Sequence, residues 1–111
     1  MWVSQMSAEH VVVLTTLPVD ADGDAFGHAL VEERLAACVN LMAPMESVYR
    51  WEGRVERETE RQIIIKTTRE RLGSLWDRVR ELHPYEVPEF IVLAIADGND
   101  AYLRWIGDST K

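Results

Sequence analysis

The sequence predicts an α+β fold of the split βαβ kind, in which four strands form one sheet and two main helices pack on one of its faces. Three features predict it. The run His10-Val11-Val12-Val13-Leu14-Thr15-Thr16 is continuously apolar or β-branched, as in a strand buried on both faces. Leu72, Leu75, Trp76, Val79 and Leu82 recur at helical spacing and form one apolar stripe. Between these segments, Glu52-Gly53 supplies a tight turn joining two long strand-like stretches.

Taken in order, residues 1–7 read as a leader ahead of a single domain over 8–111, with Met6 as an alternative start and Trp2 incidental. Pro18 ends the first strand. Asp20, Asp22 and Asp24 then precede an amphipathic helix carrying Phe26, Leu30, Val31 and Leu35 and ending near Ala37. Acids at a helix N-terminus cap free amides and complement the dipole. A second strand starts at Cys38 and resumes after Pro44 through Trp51. Proline donates no ladder hydrogen bond, so Pro44 marks an edge or a bulge. The returning strand runs from Arg54 to about Thr67 with Ile63-Ile64-Ile65 as its buried end. Thr67-Thr68-Arg69-Glu70 matches a capping box ahead of the periodic helix, and Pro84 stops that helix by forcing His83 out of α geometry. A fourth strand, Phe90–Ala96, and a short helix carrying Ala101, Tyr102, Trp105 and Ile106 complete the chain. The order β-α-β-β-α-β plus a C-terminal helix is the ferredoxin-like arrangement. Right-handed crossovers put both main helices on one face and leave the other bare.

Composition sets bounds on function. The 111 residues suffice for one core, 47% are apolar and 28% charged, and the net charge is −7. A polyanion is repelled by such a surface unless a basic patch overrides it. Arg54, Arg57 and Arg61 alternate with Glu56, Glu58 and Glu60, so neither nucleic acid nor an anionic membrane is an expected partner. The single cysteine, Cys38, rules out an intramolecular disulfide and suits a reducing compartment. The start shows no basic region followed by an apolar one, and no apolar run approaches a membrane span, so the cytoplasm is the expected location.

The hairpin predicts an oligomer. Strands of over a dozen residues at roughly 3.4 Å each reach on the order of 40 Å, whereas helices of about 15 residues span only about 22 Å. The ribbon must project into solvent or lie on another subunit. Met42, Met45, Val48, Tyr49 and Trp51 favour the subunit, since Trp, Tyr and Met are enriched at interfaces. Closed symmetry, dimer or trimer, is the expected form.

Five stretches in register resemble the CutA family of divalent-cation tolerance proteins: Leu30 through Asn40 (LVEERLAACVN), Ser47 through Gly53 (SVYRWEG), Ile65-Lys66-Thr67-Thr68, His83 through Glu89 (HPYEVPE), and Tyr102 through Ile106 (YLRWI). The resemblance covers nearly all of residues 10–107. It implies a ferredoxin-like homotrimer whose strands pair across subunits and whose long hairpin embraces a neighbour. It also implies a role in tolerance of copper and other divalent cations, with no established catalysis. Where some bacterial relatives are described with a strand cysteine and a second histidine as further ligands, this chain has Thr15 and Leu82, which removes two donors.

The donors that are present are Cys38, His83, Glu86 and Glu89. Cys38, at a helix-to-strand junction, offers a soft ligand or simply packs. His83 can cap the last carbonyls of the periodic helix or present a ring nitrogen to a metal. With Tyr85, Glu86 and Glu89 it forms the densest polar and aromatic loop of the chain. Copper or another divalent cation, weakly bound at clefts between subunits, is the expected ligand. Tyr49, Trp51, Lys66, Tyr85 and Trp105 are the expected cleft or interface residues, Lys66 as an interfacial ion-pair partner. Asp20-Ala21-Asp22-Gly23-Asp24 is no calcium loop, because the sixth and twelfth positions hold Ala25 and Val31. No phosphate loop, metalloprotease helix or nucleophile elbow occurs, so no enzyme is expected. The alternative is a small-molecule sensor or signalling scaffold, by fold analogy with the trimeric PII proteins.

Overall fold

The computed structural model describes residues 9–111, so the leader over 1–7, with Trp2 and Met6, lies outside the described residues. Four strands, β1 (His10–Pro18), β2 (Cys38–Trp51), β3 (Arg54–Thr68) and β4 (Ile91–Ala94), form one sheet in the order β2-β3-β1-β4, antiparallel at every step. Helices α1 (Gly23–Glu32), α2 (Leu72–Leu82) and α3 (Asp100–Ser109) complete the fold. Strand β3 inserts between β1 and β2, and β1 between β3 and β4. Both crossovers are therefore split, and the fold is ferredoxin-like.

The core lies on one sheet face. Val11, Val13 and Leu17 of β1 and Ile63 and Ile65 of β3 alternate inward against Phe26 and Leu30 of α1 and Leu75 and Val79 of α2. At Gly27 an added Cβ would stand 3.3 Å from Val39, so glycine is what lets α1 sit close on β2. Arg78 of α2 forks onto Glu33 beside the end of α1 at 2.9–3.2 Å and ties the two helices together.

Four details differ from the sequence reading. First, α1 ends at Glu32, not near Ala37. Arg34 turns left-handed at φ 60°, its N–H bonds the Val31 carbonyl, and the Leu35 N–H reaches the Leu30 carbonyl. This is a Schellman motif, and Leu35 continues the apolar spacing because it folds back onto Leu30 after the helix has stopped. Second, the capping box is not made. Strand β3 runs through Thr68 and a 3₁₀ turn (Arg69–Arg71) precedes α2. Thr67 instead donates its hydroxyl to the Leu35 carbonyl at 2.7 Å, and the Thr68 hydroxyl meets that of Thr110. Third, β4 is shorter than residues 90–96, because Phe90 turns its ring onto Trp76 and only four residues pair with β1. Fourth, the face opposite the core is not bare. Helix α3 lies across one end of it, with Tyr102 under the Lys66 ammonium, Gly107 beside His10 and Thr110 against Thr68.

Beyond α3, the part of that face formed by β1 and β4 is uncovered and apolar. Ile91 and Leu93 of β4 are each 48% exposed, next to their half-buried partners Leu14 and Val12 of β1. Pro44 does mark a bulge: Met42 and Ala43 stand opposite the single residue Gln62. Strand β1 reaches only as far as Glu60 along β3, so residues 54–59 pair with β2 alone as a two-stranded ribbon. Its turn has Glu52 at φ 49° and Gly53 at φ 80°, the double left-handed geometry that matches strand twist.

Two substitutions test this reading by urea unfolding at fixed protein concentration. Gly53→Ala places a Cβ at positive φ and is expected to lower stability by about 1 kcal/mol. Thr67→Val strands the buried Leu35 carbonyl and is expected to lower it by about 1–3 kcal/mol. An unchanged midpoint in Thr67→Val rules out the α1-to-β3 tie.

Candidate functional site

The expected site residues fall into two groups toward opposite ends of the sheet, with Trp51 apart from both, paired with Arg54 beside the ribbon turn. Cys38, a free thiol, pairs across β2 and β3 with Lys66. The Lys66 ammonium lies 5.9 Å from the centre of the Tyr102 ring, and Tyr102 stacks at a tilt on Trp105, 5.3 Å between centroids. Trp105 also borders a shallow depression with Val31, Arg34 and Ala37. The expected residues gathered at this end are one thiol, one ammonium and one indole.

The other end is polar and lies where β1 outruns β4. His83, 7% exposed, sits just past α2 in extended geometry, as Pro84 demands. Its Nδ1 accepts from the Tyr85 N–H at 3.0 Å, so Nε2 carries the proton and donates to the Thr16 carbonyl at 2.6 Å. The His83 and Tyr85 rings stack at a tilt, 4.8 Å apart. Glu89 accepts from Gln62 at 3.0 Å, and Gln62 also donates to the Thr15 carbonyl. Glu86 is exposed.

The alternating charges of β3 acquire meaning on this strand. Period-2 geometry puts Glu56, Glu58 and Glu60 on one face, and Arg57 and Arg61 on the other, where Arg57 bonds Glu46 at 3.1 Å. Glu60 is 9% exposed. Tyr49 stands across from Glu56. Partial burial raises its phenol pKa first, and the neighbouring Glu58, which accepts its hydroxyl, raises it further with Glu56 and Glu60. Burial likewise raises Tyr85, with Glu60 and Glu58 adding to it. Two tyrosines and an acid row therefore form one surface, continuous with Gln62 and Glu89. The period-2 spacing of the glutamates was visible in the sequence. Gln62 and Thr16, which position the loop, carried no signal there.

The expected metal donors are thus not gathered. Cys38 is four β3 residues, about 14 Å, from the Gln62 level at which Glu89 sits. Both His83 ring nitrogens are already bonded, so a metal would have to displace one of those bonds. Thr15 is fully buried and its hydroxyl has no partner among the described residues. Among the described residues no group of three or more His, Cys, Asp or Glu side chains is placed to hold a metal ion. The donor set within one protomer does not fit a resident metal.

Comparison with known proteins bears on these positions. The family model described as "CutA1 divalent ion tolerance protein" matches residues 11–109. The chain belongs to this family. The divalent-cation tolerance protein CutA of Thermus thermophilus is 46% identical over 89% of this chain and 96% of its own length. The chloroplastic CutA protein of Arabidopsis thaliana is 42% identical over 97% of this chain, which spans only 59% of that relative. Among solved structures, the Thermus thermophilus Cut A1 protein superimposes with a TM-score of 0.89 at 45% identity, covering 92% of this chain and 99% of that one. A CutA from Nostoc described as PII-like, in apo form, gives 0.84 at 36% identity, covering 91% and 97%. The CutA1 fold is therefore shared across essentially the whole described chain.

The acid row has a spectroscopic consequence. A phenol whose folded pKa exceeds its unfolded value of about 10 adds stability below that pH and loses it as pH rises through the folded value. Alkaline absorbance titration is expected to show two late phenols, with Tyr49→Phe and Tyr85→Phe each removing one. Glu58→Gln should bring the Tyr49 step part of the way back. A Tyr49 step unmoved by that change means the carboxylate is not acting on it.

Proposed function

We propose that the chain acts as a non-enzymatic homotrimer in divalent-cation tolerance, taking up copper or a similar cation weakly at the clefts between subunits. The observation that carries this reading is an apolar sheet surface and a projecting ribbon that one protomer leaves uncovered. Val48 and Val55 are 65% and 68% exposed on the ribbon, with Trp51 and Tyr49 beside them. Patches of this kind on a soluble chain mark an interface. Membership of the divalent ion tolerance family supports the cation, and the three-fold assembly follows the family resemblance.

Within this reading the cleft donors are the carboxylates of Glu86 and Glu89 and the thiol of Cys38, while His83, expected from the sequence as a donor, has both ring nitrogens engaged and holds the wall beside them. Tyr49, Trp51, Lys66, Tyr85 and Trp105 are proposed as cleft and interface residues. Exposed carboxylates drawn from several chains bind hydrated cations loosely, which suits uptake and release better than permanent retention. A free thiol favours a reducing compartment, and the cytoplasm is part of the proposal. Among the described residues no helix is long and apolar enough to cross a membrane.

A second reading, a small-molecule sensor or signalling scaffold, draws support from the Nostoc neighbour described as PII-like. A thermal-shift screen separates the two: metal ions raise the melting temperature under the first reading, metabolites or nucleotides under the second.

Light scattering on the purified chain is expected to give three times the protomer mass, and the double change Ile91→Glu with Leu93→Glu to give the protomer mass. Calorimetric titration with Cu²⁺ should show weak uptake that falls in Cys38→Ala and Glu89→Gln. A well-folded monomer at micromolar concentration, or identical isotherms for all three proteins, overturns the cleft.

A further inference from the structure

Strand β1 is nine residues long, but β4 pairs with only Val11 to Leu14. In an antiparallel strand, the N–H and C=O of alternate residues point to alternate neighbours. The His10 carbonyl accepts from the Ile95 N–H, so the even-numbered carbonyls of β1 face the β4 side. The Thr16 carbonyl therefore points past the end of β4, where no strand amide reaches it. It is buried, and a buried carbonyl needs a donor.

The His83 ring supplies that donor. Nε2–H stands where a strand N–H would, 2.6 Å from the Thr16 oxygen. The His83 amide itself bonds back to the Val79 carbonyl, and on its other side the ring meets the next amide of the chain, since Pro84 has no N–H to offer. Nδ1 takes the Tyr85 N–H at 3.0 Å, closing a side-chain turn of the kind that Asn and Asp make with the amide two residues on. The Tyr85 ring then folds onto the imidazole. One side chain thus caps the unpaired end of β1, fixes the chain direction after α2, and delivers Tyr85 to the acid row beside Glu60 and Glu58.

We infer that His83 is a positioning residue, a clamp that replaces a missing length of β4 and sets the wall formed by Tyr85 and Glu89, and that it is not a metal ligand. The inference deepens the cleft reading by naming what holds one wall of the cleft. Metal-free measurements test the clamp separately from cation uptake.

On the wild-type chain, nitrogen NMR of the imidazole is expected to show the Nε2–H tautomer with an unprotonated Nδ1; the Nδ1–H tautomer overturns the clamp. Amide exchange of Tyr85 is expected to accelerate by roughly tenfold or more in His83→Ala. His83→Asn, whose Oδ1 can accept the same amide, should retain most of the protection, an effect that simple loss of packing does not produce. Equal acceleration in both variants overturns the clamp. With Cu²⁺ added, His83→Asn should bind as the wild type does. A loss of affinity in that variant, or imidazole nitrogen coupling in the wild-type copper spectrum that His83→Asn abolishes, makes His83 a ligand and overturns the clamp as well.

Discussion

Strand β3 is longer than anything available to pair with it on one side. From Lys66 back to Glu60 it is held between β1 and β2, and from Thr59 to Arg54 by β2 alone. A two-stranded ribbon is marginal by itself in water, because it satisfies its backbone on one side only and has no second layer to bury its side chains against. Cross-strand pairs such as Glu46 with Arg57 and Thr59 hold the register, but exposed ion pairs contribute little net stability. A neighbouring chain that covered the ribbon would remove both deficits at once. The open edges of β2 and β4 and the apolar patch on the face opposite the core have the same remedy.

The same mismatch of lengths explains the polar end of the sheet. Where β1 runs on without β4, a backbone group loses its partner, and the loop after α2 closes over the gap with a side chain. Polar residues therefore gather there for a structural reason. The acid row adds to this polar end by strand periodicity. Three carboxylates at alternate positions repel one another and lower the local potential. The two tyrosine hydroxyls beside them resist ionisation, through burial first and these carboxylates second.

Much of the fold was legible in sequence because its signals are local. The β-branched run of β1, the apolar stripe of α2, the turn at Glu52-Gly53 and the bulge at Pro44 each depend on a few neighbouring residues. The errors arose where a tertiary partner outweighed a local signal. Leu35 continued the spacing of α1 but belongs to its Schellman turn, and Thr67 offered a cap but is claimed by the Leu35 carbonyl. The site was less legible for the same reason. That Cys38 and His83 lie at opposite ends of the sheet, and that both nitrogens of His83 are engaged, depends on strand order and on where β4 stops.

These placements bear on how a divalent-cation tolerance protein of this sequence can work. A resident metal needs several donors fixed in one shell and free of other bonds. Here the histidine is engaged, Thr15 on β1 is buried and offers no thiol, and the remaining carboxylates are spread along a surface. Such a surface attracts cations by field more than by coordination within one protomer. The apolar patch of β4 and β1 and the like charges of β3 share one sheet face. A chain packed on that face would bury apolar area and meet the acid row together, and a cation screening the row would ease the repulsion.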